Sequence, residues 1–234
     1  QPQVDRIVRR LPQDRQTMFF SATLDGTVSR IADAYTRDAR RHEIQSQIRT
    51  VEEVEHRFLP VSAQRKVDAL VELLEKDRDL TLVFVRTKRG ADRLLAKLRS
   101  RGIDVEAMHG DMTQPARQRA LARFESGRVN VLVATDVAAR GLDLDRISHV
   151  VNFDPPQDDK DYVHRVGRTA RAGRTGTGVT LVTAEQQGDV SRMAARLDLD
   201  DAFEAGGMKM APPRVVFSGS AGGRRSSLRR PRRR

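Results

Sequence analysis

The chain predicts an α/β fold built on a doubly wound parallel sheet. Short runs rich in Val, Leu and Ile alternate with amphipathic stretches through the middle of its 234 residues, as expected when strands and covering helices succeed one another. The apolar runs are mostly continuous, and continuity marks parallel strands buried on both faces. Polar motifs fall just after several of these runs. In this architecture ligands bind beyond the carboxyl ends of the strands.

Taken in order, Thr17, Met18, Phe19 and Phe20 read as a buried parallel strand followed by Ser21-Ala22-Thr23, all inside an N-terminal piece covering 1–44. Residues 45–53 are polar without strong periodicity and read as a linker. From there, 54–61, 80–85, 104–108, 129–134, 148–152 and 178–182 read as strands, and 63–76, 88–101, 114–125, 159–168 and 185–197 as the helices between them. After the strand at 104–108 comes His109-Gly110-Asp111, with Gln114 and Arg117 opening the next helix. The free N–H groups and positive dipole end of that helix suit a phosphate cradle, although His-Gly after a strand also reads as a plain turn. After 129–134 comes Thr135 to Asp143, where Thr135 can donate to a phosphate, Gly141 admits a ligand to the main chain and Asp143 can accept from ribose. An Asp-capped helix stopped by glycine fits the same run. The most informative segment is His164-Arg165-Val166-Gly167-Arg168-Thr169-Ala170-Arg171, which spaces guanidinium groups so that several can converge on a polyanion. Phosphoryl transfer uses that arrangement, because charge grows on the phosphate oxygens in the transition state.

The net charge of +11 is concentrated at one end. Residues 206–234 hold eight arginines, Lys209 and no acid, leaving 34 basic against 32 acidic side chains elsewhere. Nucleic-acid binding by the folded part therefore rests on placed groups, while this apolar-poor tail reads as a disordered arm with a diffuse, salt-sensitive attraction to phosphate. Without cysteine there is neither disulfide nor thiolate metal site, and no metal-ligand pattern appears. No apolar run is long enough to span a bilayer and no charged leader opens the chain, so the expectation is a cytoplasmic protein without membrane contact. Its start at Gln1 suggests a piece of something longer.

Ser21-Ala22-Thr23, Leu82-Val83-Phe84-Val85 with Thr87, Gln114 with Arg117, the Thr135 to Asp143 run and the His164 to Arg174 run resemble, in order, consecutive motifs of the DEAD-box RNA helicases of superfamily 2. His164, where DNA-unwinding relatives usually carry Gln, favours the RNA branch; Ala170 departs from the glycine of many members, with no loss of function expected.

The resemblance implies a RecA-like helicase C-terminal domain over 54–205, preceded by a remnant of the first RecA-like, ATP-binding domain over 1–44. It further implies that Thr87, Gly110, Gln114, Arg117 and Thr135 hold the backbone of single-stranded RNA without reading its sequence. Gly141 and Asp143 would meet the nucleotide, Arg168 and Arg171 would be arginine fingers at the γ-phosphate, and His164 would join the nucleotide site to the facing domain. Ser21 and Thr23 would couple hydrolysis to RNA binding. ATP and Mg²⁺ are the implied cofactors, held mainly by a portion the chain lacks: there is no Gly-x-x-x-x-Gly-Lys-[Ser/Thr] and no Asp-Glu-Ala-Asp. The chain alone is accordingly expected not to hydrolyse ATP, and residues 1–44 to be loosely packed. A freestanding, non-catalytic RNA-binding module is the alternative. Nothing in the sequence names protein partners.

Overall fold

A computed structural model describes residues 2–21, 26–42, 54–76, 79–140, 146–170 and 175–212. The chain divides into two compact units, Gln1–Ser46 and Gln47–Arg234. In the first, α1 (Pro2–Val8) and α2 (Gly26–Tyr35) are joined by the Tyr35 hydroxyl, which donates to the Asp5 carboxylate. That carboxylate raises the Tyr35 pKa. The stretch Thr17 to Phe20 corrects its sequence reading: it is not a strand, and Met18 and Phe20 are exposed. Among the described residues of this unit no strand is present to pair with it, and a strand needs a partner for its ladder.

The second unit is a six-stranded sheet in the order β1-β6-β5-β2-β4-β3, with every pairing parallel. Its strands are β1 (Val54–Pro60), β2 (Thr81–Phe84), β3 (Val105–Met108), β4 (Val131–Ala134), β5 (His149–Asn152) and β6 (Gly176–Val182). The helices are α3 (Lys66–Lys76), α4 (Lys88–Arg99), α5 (Gln114–Glu125), α6 (Asp136–Ala139), α7 (Asp159–Val166), α8 (Gln187–Arg196) and α9 (Asp200–Ala205). Strand side chains alternate between faces, so one sequence run feeds two cores. Val83, Val131, Val133 and Val151 pack with Leu70, Leu74, Leu94 and Leu98 of α3 and α4. Their neighbours Leu82, Phe84, Leu132 and Val150 pack instead with Phe124 of α5 and Ala138 and Ala139 of α6. A third cluster under β1 and β6 gathers Phe58, Tyr162, Val166, Met193 and Phe203. Both faces of the sheet are thus covered, which explains the continuous apolar runs.

Local chemistry sets the helix ends facing the site. Thr87 caps α4, its Oγ1 accepting from the Gly90 N–H at 3.0 Å. Asp158 caps α7 by accepting from the Asp161 N–H at 2.7 Å. Thr113 precedes α5 with extended backbone, and Pro115 in the first turn lacks only an N–H that the helix would not use.

Residues 206–212, read from sequence as the start of a disordered tail, pack on the domain instead. Met208 is buried, the Ala211 N–H donates to Ser191 Oγ at 2.7 Å, and Gln187 donates to the Lys209 carbonyl. Gly206 ends α9 so close to β1 that a Cβ would lie 2.1 Å from the Phe58 carbonyl oxygen. The arginine-rich residues 213–234 lie outside the described residues, as do 43–53.

Ala170 takes φ +53, in the left-handed region where glycine is favoured, and only 4% of it is exposed. The conformation costs about 1–2 kcal/mol for an L residue. Burying the methyl returns about 0.8 kcal/mol, and the stiffer unfolded chain another 0.4–1 kcal/mol. The terms nearly cancel, which is why alanine is accommodated.

Candidate nucleic-acid and nucleotide interface

The parallel register makes the carboxyl ends of β2, β3, β4 and β5 level: Phe84 pairs with Ala134 and Asn152, and Ala134 with Met108. Within a few residues of the ends of β2, β3 and β4 come the residues chosen from the sequence. Thr87 follows β2, exposed at the head of α4, where its hydroxyl oxygen accepts from the Gly90 N–H. Gly110 follows β3 and is exposed; Gln114 is the first residue of α5 and also exposed. Arg117, one turn on, reaches across to donate to the Ala138 carbonyl of α6 at 3.4 Å, tying two of these loops together. Thr135 follows β4 and is buried, its N–H donating to Met108 O at 3.3 Å and its carbonyl accepting from Ala138 and Ala139. Chain topology thus brings five of the sequence-chosen residues to one sheet edge.

The helix α7 presents the other set. His164 is exposed, and Arg168 lies one turn further, its Nε donating to the His164 carbonyl at 3.2 Å. With Arg140 they border a small cavity of about 20 Å³ whose other walls are Phe84, Asp136, Ala139, Asp161 and Arg165. Both carboxylates there are already engaged by cations, Asp161 by Arg140 at 3.5 Å and Asp136 by Arg165. With Arg140 and Arg165 engaged by these carboxylates, an anionic ligand would meet a neutralised floor with Arg168 at its border. Gly141, Asp143 and Arg171 lie outside the described residues, as does Thr23; Ser21 belongs to the first unit and is exposed.

What holds α7 to the sheet edge is a buried arginine that sequence reasoning passed over. Arg165 is 3% exposed, and its Nε and Nη2 grip the two oxygens of Asp136 at 2.6 and 2.8 Å. Its Nη1 donates to Asn152 Oδ1 at 3.1 Å and to the Asp154 carbonyl at 2.6 Å, and its guanidinium lies 5.0 Å from the Phe84 ring centre. One side chain thus ties α7 to the ends of β2, β4 and β5. The network continues outward: the Asp154 carboxylate accepts from buried Lys66 at 3.0 Å and from the Arg86 N–H at 2.9 Å, while Asn152 Nδ2 donates to Thr180 at 3.1 Å. Tyr162, wholly buried beside it, meets His56 Nδ1 at 2.7 Å, and burial pushes its phenol well up from the ordinary value. The signal was available, since Arg165 lies at helical spacing from Tyr162 and beside Val166, two residues suited to the buried face of α7.

A parallel RecA-like sheet carrying Thr87, Gln114, Arg117 and Thr135 along its carboxyl edge is the architecture of a helicase C-terminal domain. Residues 65–173 match the helicase conserved C-terminal domain. The DEAD-box ATP-dependent RNA helicase CshA of Bacillus subtilis is 42% identical over 185 residues, covering 79% of this chain and 37% of that protein. Escherichia coli SrmB, a DEAD-box protein solved with regulator of ribonuclease activity A, is 44% identical over 57% of this chain and 79% of that one, at TM-score 0.55. Saccharomyces cerevisiae Dbp5, solved with RNA and ADP BeF3, is 32% identical over 87% of this chain and 52% of that one, at TM-score 0.68. The chain belongs to the DEAD-box helicase family, as a C-terminal portion of it. It spans about two fifths of the length of the curated relatives it matches. Among the described residues no helix is long and apolar enough to cross a membrane.

Proposed function

We propose that the chain is the C-terminal half of an ATP-dependent RNA helicase, gripping single-stranded RNA by its backbone and supplying arginine fingers for ATP hydrolysis coupled to duplex unwinding. The observation that carries this reading is the shared edge. Thr87, Gly110, Gln114 and Thr135 stand at the ends of neighbouring strands, and Arg165 fastens α7, with His164 on it and Arg168 just past its end, to the same edge. Hydroxyl, amide and backbone N–H donors there suit phosphate and sugar, which carry no base identity. Arg168, beside His164 at this edge, suits a phosphate oxygen. ATP, with Mg²⁺, supplies the transferable phosphoryl group when bound. Arg168 and Arg171 would meet the charge that grows on it, and Gly141 and Asp143 the nucleotide's phosphates and ribose. Ser21 and Thr23 would carry the coupling from the preceding domain. The support for RNA and for ATP comes from the family, whose named relatives include ATP-dependent RNA helicases and a protein solved with RNA and ADP BeF3.

The reading is tested by binding. Fluorescence anisotropy of the 234-residue chain with several unrelated single-stranded RNA oligonucleotides compares the parent with Gln114→Ala and Thr87→Ala. Each change removes a donor to a charged oxygen, and the expected loss is about tenfold, alike for every base sequence. Losses confined to one base sequence, or no loss, contradict it.

A further inference from the structure

Between the heads of α4 and α5 lies an ion pair that the function so far leaves unused. Lys88 Nζ donates to Asp111 Oδ1 at 2.6 Å. Lys88 follows Thr87 and Asp111 follows Gly110, so each partner adjoins a residue assigned to RNA. Gly110 explains the placement. It lacks a positive φ, so glycine is not required there for backbone conformation. A Cβ at this position would instead meet Lys88 Cε at 3.3 Å and Nζ at 3.6 Å. The bare backbone of Gly110 leaves room, and the lysine ammonium fills it.

We propose that Lys88 is a further ligand for RNA phosphate, held in reserve by Asp111, whose carboxylate stands beside Gly110 in place of a phosphate oxygen. The proposal rests on the RNA-backbone reading of this edge and adds both a residue and a competitor to it. Lys88 holds the Asp111 carboxyl below the usual carboxylate range, so the competitor is charged at neutral pH. Both side chains are more than half exposed. An exposed pair of this kind holds weakly against water and salt, so a phosphate can replace it. Because Lys88 is a point charge on a flexible stem, the exchange needs no movement of the backbone. Asp111 would swing to solvent while Lys88 turns to the incoming oxygen.

The test measures affinity of the 234-residue chain for an oligouridylate across a salt series, with Lys88→Ala, Asp111→Asn, the double variant and Gln114→Ala. Asp104→Asn, at the opposite end of β3, controls for net charge. Lys88→Ala is expected to weaken binding severalfold and to reduce the slope of log affinity against log salt by about 0.7, one phosphate on a single strand. Asp111→Asn is expected to strengthen binding about two- to fivefold, the scale of an exposed ion pair, and to have no such effect once Lys88 is alanine. Asp104→Asn should do nothing. An unchanged slope in Lys88→Ala, with Gln114→Ala still weakened, overturns the proposal alone. So does strengthening by Asp111→Asn that is absent, or that persists without Lys88. If neither Lys88→Ala nor Gln114→Ala weakens binding, the RNA-backbone reading fails with it.

Discussion

Replacing Arg165 with methionine keeps much of the side chain's length while deleting its charge and all its donors. Two oxygens of Asp136, the Asn152 side-chain oxygen and the Asp154 carbonyl lose their partner together. Removing one member of a buried ion pair costs about 3–5 kcal/mol, chiefly because the other charge stays unpaired. Asp136 is not fully enclosed: its side chain is 28% exposed and regains some water, which favours the lower end. Asn152 has no such relief at 0% exposure, and an orphaned buried acceptor adds about 1–3 kcal/mol. Methionine against Phe84 returns part of this through apolar contact. The balance is a loss of about 4 kcal/mol, equivalent to roughly 8–16 °C in melting temperature for a domain of this size. Urea unfolding of the 234-residue chain, followed by far-ultraviolet circular dichroism, measures it directly. A double-mutant cycle with Asp136→Asn should show that the two losses do not add, with a coupling of at least about 1 kcal/mol. A loss below about 1 kcal/mol in Arg165→Met would refute the view that this arginine holds α7 to the sheet.

Gly206→Ala drives a methyl towards the Phe58 carbonyl, a backbone atom that cannot step aside, and should destabilise the domain by about 1–3 kcal/mol in the same urea assay; full stability would show that 206–212 does not hug β1. Deleting 213–234 removes eight arginines and should flatten the salt dependence of RNA binding, by up to about 0.7 in slope for each arginine that meets a phosphate. An unchanged slope leaves the tail no role in RNA affinity. Tyr162 is held neutral by burial, its folded pKa raised above the unfolded value. The stability it contributes is therefore fully present below about pH 10 and lost as pH rises beyond it. With Tyr35 the only other tyrosine and no tryptophan, tyrosinate absorbance should show Tyr162 ionising together with the loss of helical signal. Ionisation of both tyrosines in a chain that keeps its helices would contradict its burial.

The central strands were legible because burial on both faces leaves no polar phase to confuse them: 81–84 and 131–134 are wholly buried, as continuous runs require. The same signal misled at Met18, Phe19 and Phe20, since an apolar run states a need for partners without showing that they exist. Residues 206–212 were misread for the opposite reason. Two glycines and two methionines near an arginine-rich tail look unfoldable, yet Met208 and Gly206 fit a groove made by β1, α8 and α9 that only the tertiary fold creates. At the site, Gly110, Gln114 and Arg117 could be placed after β3 from the run of elements, whereas Thr87 was singled out only by the family resemblance. Arg165 was hidden among the arginines expected to face a ligand, and its helical phase with Tyr162 and Val166 was the clue that it faces inward. The Lys88 and Asp111 pairing spans two loops and could not be seen before β2 and β3 were placed.

The proposed function gives this chain half of an ATP-hydrolysing site. The direct measurement is RNA-stimulated ATP turnover by the 234-residue chain, compared with a fusion to a DEAD-box first domain carrying the Gly-x-x-x-x-Gly-Lys-[Ser/Thr] loop. Fingers act only on phosphates held in line by other groups, so the chain alone is expected to show no turnover. The fusion is expected to show RNA-stimulated turnover that falls by about 10³-fold or more in Arg171→Ala, and comparably in Arg168→Ala. Turnover by the chain alone that survives removal of trace contaminants, or a fusion indifferent to both arginines, would contradict the account.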